Sequence, residues 1–77
     1  MISIQRQGVS AAVVRVPVAD LSPELVGVQA MKEEAKALAV AFLTVNSTWS
    51  TGRTEATRAT LDAEMKFFSV IVRHYTK

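Results

Sequence analysis

Apolar residues recur at intervals of three and four along the middle of the chain, which is the spacing of one helix face. The members of this stripe are Val28, Met31, Ala35, Leu38, Phe42 and Val45. Ser22 is a suitable N-cap, Pro23 suits the first helical position, and Glu24 favours the positive end of the helix dipole. We therefore predict one long helix over residues 22–45.

A second stripe with the same spacing follows a polar loop at residues 46–53. Its members are Leu61, Met65, Phe68, Val72 and Tyr75. This stripe predicts a second helix over residues 54–76, and hence a helical hairpin. Residues 67–75 are also rich in strand formers, and a short apolar run of this kind is compatible with helix or strand. The polar residues that lead into it, 62–66, continue the helical period and favour helix.

The first 18 residues have the pattern of an extended β arm. Ile2 and Ile4 alternate with polar residues, Gly8 separates them from a valine-rich run, and Pro17 marks a strand end or edge. A hairpin of residues 2–6 on 11–16 and a pairing between subunits both fit this pattern. The predicted fold class is mainly α with a short N-terminal β arm (α+β). The arm, residues 1–18, and the helical hairpin, residues 22–77, together form one domain.

The composition predicts self-association. The chain has 77 residues, 49% of them apolar, and no cysteine, and its mean hydropathy is +0.21. One core of this size seldom supplies more than about 3–5 kcal/mol of net stability. Two helices and an arm would leave apolar surface uncovered, so we predict a homodimer whose two stripes build the core of a helical bundle. The longest apolar run, 37–43, is too short for a membrane span, and the lack of cysteine and of a secretory signal predicts a cytoplasmic protein.

No pattern in the sequence indicates catalysis, and we expect no enzyme, metal or cofactor. His74 is the only histidine, and nucleophilic catalysis needs a base held beside a nucleophile. Glu33 and Glu34 are adjacent and would diverge around a helix. The glycines are isolated from one another, so no phosphate-binding loop is predicted.

Trp49 is the residue that best fits a contact with an outside partner. It lies in the polar loop, close to Arg53, the second candidate contact, and tryptophan is over-represented among binding hot spots. The alternative role for Trp49 is a lid on the end of the helical hairpin.

These observations predict a small non-enzymatic interaction protein that acts on another protein as a helical oligomer. An adaptor, inhibitor or assembly factor of the kind that phages and mobile elements encode has these features. The alternative is a ribbon-helix-helix-like DNA-binding transcriptional regulator, since that fold places a strand before two helices. Its strand would offer only Arg15 to DNA, and the net charge of +2 is spread along the chain, so nucleic acid is the less favoured partner.

Overall fold

The protein is a four-stranded sheet with one helix packed on it. A computed structural model describes residues 1–46 and 52–75. The elements in chain order are β1 (Ser3–Gln7), β2 (Ala11–Pro17), a 3₁₀ turn (Val18–Asp20), α1 (Val28–Asn46), β3 (Arg53–Leu61) and β4 (Phe67–Tyr75). The strands lie in the order β1-β2-β4-β3, and every neighbouring pair is antiparallel.

Helix α1 joins the two strands that flank β4. Because β2 and β3 are each antiparallel to β4, they are parallel to one another and need a crossover connection, which α1 supplies. The helix packs on one face of the sheet, mainly over β3. The residues buried between helix and sheet are Ala12, Val14, Val16, Leu21, Ala35, Ala39, Leu43, Ala59, Phe68, Val70 and Val72. Within residues 1–46 and 52–75, no helix is long and apolar enough to cross a membrane.

The predicted helical hairpin is wrong, because the second half of the chain forms strands β3 and β4. The run over β4 is rich in valine and aromatic residues, and its side chains alternate between buried and more exposed positions. Residues 62–66, which favoured helix, instead form the turn of a β-hairpin. The Asp62 carboxylate accepts hydrogen bonds from the backbone N–H groups of Lys66 at 2.7 Å and Phe67 at 3.2 Å. Met65 closes the turn with a φ of 59°, a left-handed conformation that a helix interior excludes.

The first predicted helix begins six residues too early. Helix α1 starts at Val28, because Gly27 has a φ of 89° and so breaks the helical path. Ser22 does not cap its own helix. Its backbone N–H and its hydroxyl instead donate to the Glu34 carboxylate at 2.6 and 3.0 Å. These two bonds hold residues 21–27 against α1 as a loop, and Leu21 reaches the core.

The buried face of α1 differs from the predicted stripe. Its buried residues are Ala35, Ala39 and Leu43, at intervals of four. Because two of these residues are alanines, the helix axis can lie close to the sheet. A bundle partner with large residues would not require such small side chains on the helix. Val45, at the end of the predicted stripe, is 80% exposed. The helical bundle is therefore also wrong: the sheet supplies the second layer of the core within the single chain.

Candidate functional site

The two faces of the sheet differ in chemistry, as the alternate residues of strand β4 show. Phe68, Val70, Val72 and His74 point towards α1 and are buried. The alternate residues point away from the helix, where no described residue covers them as a second layer. We call this second surface the open face, and its members are Ser3, Arg6, Ala11, Val13, Arg15, Pro17, Arg53, Glu55, Arg58, Thr60, Phe67, Ser69, Ile71, Arg73 and Tyr75.

All five arginines of the chain lie on the open face. One row crosses all four strands, since Arg6 pairs with Val13, Val13 with Ile71, and Ile71 with Arg58. This row has an arginine at each edge of the sheet and two aliphatic side chains between them. Three strand spacings separate the backbones of Arg6 and Arg58, roughly 14 Å. The other arginines lie in rows on either side of this one.

An aromatic ring with an arginine beside it lies at each end of β4. The Arg15 guanidinium carbon is 3.7 Å from the centroid of the Phe67 ring. At the other end, the Arg53 guanidinium carbon is 5.7 Å from the centroid of the Tyr75 ring. Both distances are within the range of cation–π contacts. Phe67 and Tyr75 lie eight residues apart on β4, so their backbones are separated by roughly 27 Å along the strand, at about 3.4 Å per residue.

Little negative charge offsets the arginines on the open face. Glu55 bonds Arg53 at 3.2 Å, whereas Arg6, Arg58 and Arg73 have no ion pair with any residue in the described ranges. Asp62 lies in the adjacent turn. Desolvation raises the pKa of its carboxyl, but hydrogen bonds from the backbone of Phe67 and Lys66, the charge of Arg15 and a further bond from Glu64 outweigh it and lower that pKa below its ordinary value. The open face thus combines exposed positive charge with apolar and aromatic surface.

The residues of the two predicted stripes do not form one seam. From the first stripe, Ala35 is buried, Met31 and Leu38 are half-buried against the core, Phe42 is half-buried, and Val28 and Val45 are exposed. From the second, the buried members are Phe68 and Val72, Leu61 is half-buried, and the exposed members are Met65 and Tyr75.

The predicted partner contacts have different outcomes. Trp49 lies outside the described residues. Arg53 is exposed at the start of β3 and belongs to the open face through its contact with Tyr75.

His74 has a structural environment. It is buried on the helix side of β4, where its Nδ1 lies 3.1 Å from the Thr54 hydroxyl. A Cβ on Gly52 would lie 3.1 Å from the imidazole ring, so glycine at this position makes room for the histidine. Among the residues that the structure describes, no group of three His, Asp or Glu side chains is arranged to hold a metal.

Sequence reasoning missed the open face because it assigned helical spacing to the second half of the chain. Two signals were present in the sequence. Strand-type alternation occurs over residues 67–75, and arginine and lysine occur in different parts of the chain. The arginines fall in the four strands, whereas Lys32 and Lys36 lie on the helix and Lys66 in a turn. That segregation becomes meaningful only once the sheet register is known.

No protein-family model, curated protein or solved structure matches this chain.

Proposed function

We propose that this chain is a non-enzymatic binding protein whose open face holds single-stranded nucleic acid. The observation that carries the proposal is the collection of all five arginines on one sheet face, with aromatic rings at both ends of its central strand. This proposal replaces the expectation of a helical oligomer acting on another protein.

Arginine and aromatic side chains suit the two chemical parts of a single strand. The guanidinium group binds phosphate through paired hydrogen bonds and stays charged at any physiological pH. Aromatic rings such as that of the exposed Tyr75 and the half-buried Phe67 stack with unpaired bases, and each stacked base contributes about 1–3 kcal/mol. Bases in a duplex are already stacked and cannot reach a flat sheet. The arrangement therefore favours a single strand over a duplex.

Local charge supports this proposal although the net charge of the chain is small. The +2 balance includes acidic residues on α1 and in the loops. On the open face itself, five arginines accompany one glutamate. Phosphate binding depends on the charge of the surface that it meets rather than on the net charge of the whole chain.

The ribbon-helix-helix alternative needs a strand followed by two helices, and the observed order is two strands, one helix and two strands. DNA recognition through that fold is not part of the proposal. Homodimer formation and a cytoplasmic location stay predictions. Sedimentation equilibrium of the purified chain tests the first, with a mass of twice 8.4 kDa expected for a dimer.

The experiment that tests the proposal is a salt titration of oligonucleotide affinity. We would measure fluorescence anisotropy of a labelled oligothymidine at increasing salt, for the native chain and two charge-matched double variants. One variant carries Arg58→Gln and Arg73→Gln on the open face. The control carries Lys32→Gln and Lys36→Gln on α1. Each phosphate contact contributes about −0.7 to the slope of log K against log salt for a single strand.

The native chain should give a slope of about −2 to −3.5, for three to five arginine contacts. The arginine variant should lose affinity and flatten that slope by about 1.4, while the lysine variant should keep both. Absence of binding at low salt would refute the proposal. An equal loss in the lysine variant would place binding elsewhere. Equal affinity for polyglutamate would indicate an acidic protein as the partner instead.

A further inference from the structure

At one corner of the open face the sheet carries an apolar cavity of about 430 Å³, which is within the size range of small-molecule sites. It lies where β1 turns into β2. The residues that line it include Arg6, Gln7, Gly8, Ala11, Val13 and Ile71. The short Ala11 side chain and the absent side chain of Gly8 leave the space that larger residues would fill. The cavity is thus part of the surface to which we assign strand binding.

The β1 edge shifts register beside this cavity. A bulge between Ile4 and Arg6 breaks the regular pairing with β2, after which Arg6 pairs with Val13. Bulges re-aim side chains and bend the strand that contains them. Here the bulge determines that Arg6, a long cationic side chain, lies at the rim of an apolar hollow.

Two arginines flank the hollow. Arg6 lines one side, and Arg73 is the cross-strand partner of Ala11, which lines another. Neither arginine has an ion pair with a described residue. The floor between them is aliphatic, from Val13 and Ile71. An occupant that suits this arrangement has an apolar body with negative charge attached to it, unlike a plain hydrocarbon chain or a simple anion.

We propose that the cavity receives one base of the bound strand, with the flanking phosphates on Arg6 and Arg73. This inference rests on the proposed function, since it assigns a subsite within the same surface. The aliphatic floor contacts the face of the base, and guanidinium planes at the rim can stack on it as well as bind phosphate.

The test compares a base-bearing oligonucleotide with an abasic one of equal length and charge. We would measure both affinities for the native chain, for Ala11→Leu, which fills the cavity, and for Ala37→Leu. Ala37 is exposed on α1, on the other side of the sheet from the open face, so its variant is the matched control for added apolar bulk. Thermal unfolding of all three proteins verifies that they fold.

Filling the cavity should weaken binding of the base-bearing strand by roughly 5- to 150-fold, the loss of one stacked base. It should leave the affinity for the abasic strand unchanged, and Ala37→Leu should change neither. Equal affinities of Ala11→Leu and the native chain for the base-bearing strand would overturn the subsite. Failure of the native chain to bind either strand would refute the proposed function itself.

Photocrosslinking of the unsubstituted protein provides a second test that does not depend on a variant. A strand that carries a diazirine on one base forms a carbene on illumination, which inserts into aliphatic C–H bonds, and it should attach within residues 6–13, which contain most of the cavity wall. Attachment found only at Phe67 or Tyr75 would show that bases stack at the ends of β4 and leave the cavity empty, and would overturn the inference.

Discussion

Replacing Leu43 with alanine should remove most of the stability of this fold. Leu43 is 0% exposed and belongs to the core between α1 and the sheet. Leucine-to-alanine changes at such positions cost about 2–5 kcal/mol, because the transfer energy of the lost methyl groups and the cavity left behind add together. A chain of this size has about 3–5 kcal/mol of net stability. A loss of about 3 kcal/mol should lower the melting temperature by roughly 12–24 °C.

Urea denaturation followed by circular dichroism measures this loss, and the same helix offers a control. Val45→Ala changes an 80% exposed side chain two residues further along and should shift stability by less than about 0.5 kcal/mol. The helical stripe predicted from the sequence includes Val45 and leaves Leu43 out, so it predicts a larger loss of stability for Val45→Ala than for Leu43→Ala. A cost below about 1 kcal/mol for Leu43→Ala, or a larger cost for Val45→Ala, would refute the packing described here.

Two further predictions concern the turns. Gly52→Ala should destabilise the chain by about 1–2 kcal/mol, because Gly52 has a φ of +84° and a Cβ there would lie 2.7 Å from the Tyr75 carbonyl oxygen. The midpoint of urea denaturation measures this loss. Gly8→Ala is the control and should change the midpoint little, because its Cβ would lie 3.4 Å from the nearest atom. Asp62→Asn should lower stability at neutral pH, since the depressed pKa of Asp62 means that the charged form stabilises the folded state. That difference should persist above the unfolded-state pKa and disappear as pH falls through the lower folded-state pKa; a difference that does not depend on pH would contradict the assignment.

Alternation of apolar and polar residues is enough to identify the N-terminal strands. The alternation around Ile2 and Ile4, the glycine at position 8 and the valine run are the features of a hairpin, and β1 and β2 pair in that way. What the local pattern does not show is the position of β2 within the sheet. It lies between β1 and β4, so the residues described as an arm supply an interior strand, with Val14 and Val16 fully buried.

In the second half of the chain, the spacing of apolar residues alone predicts the wrong secondary structure for a short apolar run. Intervals of four and three from Leu61 to Tyr75 match a helix, yet every second residue from Phe68 to His74 is buried. β-branched and aromatic residues fit a pleated surface, and pairing with both β2 and β3 decides the outcome. These are long-range contacts that no local window contains.

The open face could not be predicted for the same reason. Its arginines come from all four strands, and they share a surface only because the register aligns them. In the linear sequence they are separated and look like scattered charge. The contact between Arg15 and Phe67, 52 positions apart in the numbering, exists only in the folded sheet.

The most direct measurement of the central claim is a nuclear magnetic resonance titration of ¹⁵N-labelled protein with oligothymidine. Arginine side-chain Nε–H signals and backbone amides report separately on the two faces of the molecule. A single strand bound on the open face should shift the side-chain signals of Arg58 and Arg73 and the amides of β4, and leave the amides around Lys32 and Lys36 unchanged. Shifts concentrated on α1, or arginine signals that stay unchanged at saturating oligonucleotide, would contradict it.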